Sequence, residues 1–234
     1  MKRLVSVFAA VSVSTVAVVA VSAAPAFAAV IYCNGLMTGS IPGHVIVRPG
    51  ATCILEEANV AGNVNVRPGG ALEVLGSQLT RSNITANAPA GLYIDRSTIG
   101  ANVTIKRLMT SSGEFPNAIC GSTIGGDLTF SNSNPETTFT IGGGGGGDGA
   151  GAAPAFQDGE GGCSPNNIHG SVILNNNQGR FELLGNQVGA NVVASSNNGG
   201  GDIIGNTIMG SLVCASNSPP LFVSENSVVG HDNC

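Results

Sequence analysis

An aliphatic residue that opens a short alternating run recurs eight times in this 234-residue chain, at Val45, Val64, Ile84, Val103, Leu128, Val172, Val192 and Leu212, and five of the seven intervals are 19 or 20 residues. Two positions beyond each anchor stands another apolar residue: Val47, Val66, Ala86, Ile105, Phe130, Leu174, Ala194 and Cys214. This is the period-two mark of a strand with one buried face. A further apolar column lies four positions before the anchor (Ile41, Val60, Ile99, Ile124, Ile168, Val188, Ile208), with Thr80 the exception. The anchor itself is preceded by a short polar residue: His44, Asn63, Asn83, Asn102, Asp127, Ser171, Asn191 or Ser211. A second strand-like pair follows in several units, as in Cys53 and Leu55, Leu72 and Val74, Leu92 and Ile94, Phe181 and Leu183, and Leu221 and Val223.

Each unit therefore carries three apolar faces separated by Gly, Asn and Pro turns, including an Arg-Pro-Gly at 48–50 and again at 67–69. One unit cannot bury three faces alone, whereas stacked units can. The leucine-rich spacing is absent and nothing has helical periodicity. The pattern predicts an all-β fold, a right-handed parallel β-helix of about eight coils of 19–20 residues, with the winding taken from the handedness of parallel crossovers. At the spacing of paired strands, eight coils make a rod roughly 40 Å long. Gly permits the bends, and stacked Asn side chains are expected to bond to neighbouring turns.

The six cysteines pair by the same period. Cys33 and Cys53, and Cys214 and Cys234, are each twenty residues apart, and Cys120 and Cys163 precede adjacent third-face residues, Ile124 and Ile168. Residues stacked in successive coils lie within the Cα window of a disulfide. The predicted bridges are Cys33–Cys53, Cys120–Cys163 and Cys214–Cys234, each contributing roughly 2–4 kcal/mol. Metal ligation is the weaker alternative, because the cysteines are spread along the rod.

Residues 1–28 read as a secretory signal peptide: Lys2 and Arg3, an apolar stretch, and Ala26-Phe27-Ala28 as a small-x-small cleavage pattern. Residues 29–234 then form a single β-helix domain, interrupted by a glycine-rich insertion at about 142–165. Removing the leader leaves seven basic against fourteen acidic side chains, a formal −7. Nucleic acid and anionic membrane, both bound through Lys and Arg, are poor partners for such a chain. The expected localisation is secreted and extracellular, with no membrane attachment once the leader is cleaved.

The outward column of the first strand reads Ile46, Asn65, Thr85, Thr104, Thr129, Ile173, Val193 and Val213. The three threonines lack the second parallel rank that ice-binding solenoids use, so strand packing is their reading. Ile173, Val193 and Val213 form an aliphatic interaction patch that is either covered by the insertion through Phe156 or contacts another chain. On the second strand Glu182 and Asp202 are expected to stack on one outward face, a pair suited to acid–base cleavage of a glycan. Lys106 and Arg107 read as a solvated edge. The Asp-rich clusters of pectate lyases and the Asp-Asp with Gly-His-Gly of polygalacturonases are absent. Residues 143–150 match the calcium-binding nonapeptide once, with Asp148 in the acidic position. That site needs consecutive repeats, so neither a metal nor another cofactor is expected.

The carboxyl-terminal segment resembles a group of secreted actinobacterial repeat proteins of unassigned function that share G-N-T-[IV]-x-G-x-L-x-C, then S-N-x-P-P, then N-x-V-x-G and a terminal Cys. The matching stretches are 205–214, 216–220 and 226–234. The resemblance implies export and repeat architecture. The resulting expectation is a structural or binding module of the extracellular envelope, contacting polysaccharide or an extracellular protein, with no evident catalytic motif. The alternative is a carbohydrate-active lyase or hydrolase using Glu182 and Asp202.

Overall fold

The computed structural model describes residues 29–109, 117–143 and 163–234. The expected leader, Asp148 and Phe156 lie outside them. Within the described residues the chain is all-β, without helix, and its strands stack in parallel as a β-solenoid of about nine turns. Ten strands, from Val30–Cys33 to Asp232–Asn233, form one sheet, here the anchor sheet, and contain all eight anchors. The two extra strands at its ends escaped the sequence pattern. A sixteen-stranded sheet wraps the remaining sides. The strand Thr52–Val60 runs across both of its arms: a second arm of three- to five-residue strands, and a third arm of two-residue strands such as Thr98–Ile99 and Thr207–Ile208.

The three inward columns fill the interior without a gap. The anchors Val45 to Leu212 are all 0% exposed, as are Leu72, Ile94, Ile119, Ile141 and Leu183 of the second arm and Ile99, Ile124 and Ile168 of the third. Thr80 is not an exception to the third column. Leu79 occupies it, in register with Ile99, and Thr80 is exposed. The additional residue is absorbed at the following corner, where Arg81 takes a positive φ of 71° and Ser82 turns inward to donate to the Val60 carbonyl at 3.2 Å. Within the core the rings of Phe130 and Phe139 stack with centroids 4.3 Å apart.

The corners explain why Asn and Ser are so abundant. One residue with positive φ bends the chain between the second and third arms in each coil, among them Arg96, Gly185, Gly205 and Glu225. The residue after it points inward, and its backbone N–H is directed along the rod axis at the next coil. That N–H donates to a side-chain oxygen there: Ser77 to Ser97, Ser97 to Ser122, Ser122 to Asn166, Asn166 to Asn186, Asn186 to Asn206, and Asn206 to Asn226, all at 2.8–3.0 Å. A second ladder runs at the corner leaving the anchor sheet, through Ser133, Asn177, Asn197 and Asn217. A third, exposed ladder is the polar column before the anchors and points the opposite way. There the N–H of each coil donates to the side chain of the preceding one, as from Asn83 to Asn63 and Ser211 to Asn191. A buried backbone N–H left unpaired costs about 1–3 kcal/mol, so these ladders specify the register coil by coil.

All three expected disulfides form, with Cα separations of 5.4, 4.9 and 4.8 Å. Cys214 and Cys234 are true stacked equivalents, following Val213 and Asn233 in register. Cys33 and Cys53 are not: Cys33 pairs with Val47 on the anchor sheet, whereas Cys53 faces Gly35 on the second arm. The first coil is short, Val30 pairing with His44, and omits the Arg-Pro-Gly corner, which brings the two sulfurs together. The stems of the insertion also meet: a Cβ on Gly143 would lie 1.6 Å from the Cys163 carbonyl oxygen, so only glycine fits. The bridge to Cys120 fastens that junction.

Asn206→Ala removes the acceptor for the Asn186 N–H and the donor to the Leu183 and Ile204 carbonyls. It is expected to lower the unfolding free energy by about 3 kcal/mol. Asn191→Ala on the exposed ladder, where water replaces the lost group, is expected to cost under about 1 kcal/mol. Equilibrium denaturation of the oxidised variants measures both.

Candidate functional site

The paired carboxylates predicted from the repeat do stack. Glu182 and Asp202 are register partners in the strands Phe181–Leu184 and Gly201–Ile204, with Thr140 and Phe222 flanking them in the same outward column. Arg180 binds both: its Nη2 lies 2.5 Å from Asp202 Oδ2, and its Nε 3.9 Å from Glu182 Oε1. Burial raises the pKa of Glu182 above its ordinary value, and the Asp202 charge adds to this, while Arg180 and a hydrogen bond with Thr140 oppose it. A carboxyl whose pKa is raised beside an arginine-bound carboxylate is the arrangement an acid pair uses. Stacking on adjacent strands places the two Cα atoms about 4.8 Å apart.

The expected solvent-facing position is not what the structure has. Glu182 is 6% and Asp202 5% exposed, and the column continues inward along the rod as Thr140, Ala118 and Tyr93, all buried. A satellite cluster lies on the outside of the same arm, two coils further along the column. Tyr93, Ala118, Cys120 and Cys163 pack there around the central disulfide, with Leu75 against them. Alternation along the strand places these side chains outside the main core but cannot tell whether anything packs over them.

The outer face of the anchor sheet is open. Its register column runs Tyr32, Ile46, Asn65, Thr85, Thr104, Thr129, Ile173, Val193, Val213 and Asn233, one residue per coil. Tyr32, Asn65 and Thr85 are exposed and the next six residues with Ile46 include none that is buried. Ile173, Val193 and Val213 are brought together as expected, each partly exposed.

At its amino-terminal end this face hollows into a groove of about 420 Å³ lined by Tyr32, Ile46, Arg48, Pro49, Arg67 and Pro68. The repeated Arg-Pro-Gly turns build it. The strands His44–Val47 and Val64–Val66 end at equivalent points, so the two arginines and two prolines stand one above the other. Arg48 lays its guanidinium over the Tyr32 ring, Cζ lying 3.6 Å from the centroid. Sequence reasoning read these residues as turns. The available signal was the recurrence of Arg in one column over two coils. Tyr32 gave none, because the short first coil breaks the period.

Among the described residues no three of His, Cys, Asp and Glu gather as a metal site, and no helix is long and apolar enough to cross a membrane.

The raised pKa of Glu182 has a definite sign in stability. The unfolded chain releases this proton first, near the ordinary value of 4.5. Stability conferred below that pH is therefore lost as pH rises from 4.5 through the raised folded value. Glu182→Gln does not titrate. The unfolding free energy of the parent relative to this variant is expected to fall across that window and to be level outside it, and a level difference throughout would contradict burial as the dominant cause.

Comparison of the chain with protein-family models, with curated protein sequences and with solved structures returned no match.

Proposed function

We propose that the protein is exported through its amino-terminal leader and acts as a binding module of the extracellular envelope, a rigid rod whose anchor-sheet face contacts polysaccharide. The observation that carries this reading is the groove at the end of the open face. A half-exposed aromatic ring, 56% accessible at Tyr32, stands beside two prolines and two guanidinium groups around a concavity of about 420 Å³. Ring faces and prolines offer flat apolar contacts to the C–H faces of a sugar, and guanidinium groups donate to its oxygens. Three disulfides and no free cysteine are consistent with an oxidising, extracytoplasmic compartment.

A second reading, a glycan-cleaving enzyme using Glu182 and Asp202, is favoured by one observation: the raised pKa of Glu182 beside an arginine-bound carboxylate. The burial of both side chains weighs against it, since the scissile bond would have to reach atoms that are only 5–6% exposed.

Co-sedimentation of oxidised residues 29–234 with insoluble polysaccharides and bacterial cell walls, with the supernatant assayed for new sugar ends, separates the readings. The expected result is pelleting without new ends, weakened roughly three- to tenfold in Tyr32→Ala. New sugar ends that disappear in Glu182→Gln would establish the enzyme instead. Absence of pelleting would overturn polysaccharide binding and leave the Ile173, Val193 and Val213 patch, probed with Val193→Asp, as a protein contact.

A further inference from the structure

Four of the seven basic side chains among the described residues gather along one edge. Arg48 and Arg67 hold one position at the ends of successive anchor-sheet strands, Asn87 holds it in the next coil, and Lys106, in register with Asn87, in the one after. Arg107 follows Lys106 and donates back from Nε and Nη2 to Oδ1 of Asn87, at 3.0 and 2.6 Å. At about 4.8 Å per coil, the run from Arg48 to Lys106 covers roughly 14 Å along the rod.

Like charges on neighbouring strands repel, and a chain of formal charge −5 has carboxylates to spare. Yet among the described residues the ion pairs belong to Arg96 and Arg180, and none of the four edge cations has a carboxylate partner. Arg107 rests on a neutral amide, which leaves its charge uncompensated. Arg48 rests on the face of a ring, which orders the guanidinium plane and leaves its N–H fork free at the edge. Arg67 lines the same groove with its side chain exposed. Four cations along one edge, two of them bordering a concavity with apolar walls, form a surface complementary to a chain of anions.

We infer that this edge selects an acidic polysaccharide, a polyuronate whose carboxylates meet Arg48 and Arg67 while a sugar ring lies against Tyr32, Pro49 and Pro68. The inference rests on the polysaccharide-binding reading above and adds the charge class of the ligand. The two coplanar oxygens of a carboxylate match the guanidinium fork, and the sugar ring that bears it supplies the C–H face the groove walls can cover. Lys106 and Arg107 extend the contact to further carboxylates of the same chain. An uncharged glycan would leave all four cations as they are.

The test measures binding of the oxidised protein to alginate, dextran sulfate and uncharged dextran at low and high salt, for the parent, Arg67→Gln and the double variant Arg48→Gln/Arg67→Gln. Both sites are exposed, and an unchanged far-ultraviolet spectrum verifies the fold of each variant. Alginate is expected to bind at least roughly tenfold more tightly than dextran, to weaken with salt, and to lose about tenfold in the double variant, with Arg67→Gln between. Alginate and dextran binding alike, or alginate binding that survives both substitutions, would overturn the inference and leave polysaccharide recognition standing. Dextran sulfate binding as tightly as alginate would overturn the selection of carboxylate in favour of a general anion track. Binding to none of these, nor to cell-wall polysaccharide, would overturn both readings.

Discussion

The hydrogen bond from a corner N–H to a side-chain oxygen in the neighbouring coil is the constraint on which this structure turns. At a corner the backbone no longer points its donors at a partner strand, and an inward N–H there is cut off from water. The ladders through Ser77 to Asn226 and Ser133 to Asn217 answer this with short side chains that accept axially and also donate to a carbonyl, the serines through the hydroxyl and the asparagines through the amide. Asn186, for example, accepts from Asn166 and donates to Ile141 and Asn206. A residue of that type must therefore recur once per coil, at a fixed distance from the anchor. Coil length follows from the ladder, and so does the freedom to insert residues between rungs, since Gly143 and Cys163 meet and the rungs from Ser122 to Asn166 and from Asn166 to Asn186 are intact.

Because the interior and the corners are committed to stacking, function is left to the outward columns. These differ sharply between the two broad sides. Outside the second arm, Tyr93, Ala118 and the Cys120–Cys163 bridge form an apolar cluster, and Thr140, Glu182 and Asp202 of the same column are buried. On the anchor sheet the column from Tyr32 to Asn233 stays open, bordered at its amino-terminal half by Arg48, Arg67, Lys106 and Arg107. The chemistry that is available to a large ligand lies there, and it is aromatic and cationic in a chain that is acidic as a whole.

Most of the fold was legible in the sequence, because inward columns in a solenoid repeat with the coil. The anchors, the polar column before them and the Cys214–Cys234 pair stand where periodicity puts them. What failed did so where the period itself is broken. The first coil is shortened, which hid Tyr32 and made Cys33 look equivalent to Cys53. The coil holding Thr80 has one residue more than its neighbours, taken up at Arg81. Alternation correctly aimed Glu182 and Asp202 outward but carries no information on what packs over an outer face. The arginine groove was in plain view as two identical turns, yet its meaning depends on the charges around it, which only the register brings side by side.

The most direct test of a glycan-binding anchor face is a backbone amide chemical-shift map of the oxidised protein titrated with an oligouronate. Shifts are expected to concentrate at Tyr32, Ile46, Arg48, Arg67 and Lys106 and to fade along the same column toward Val213. Shifts confined to the strands around Glu182 and Asp202, or none at saturating ligand, would contradict it.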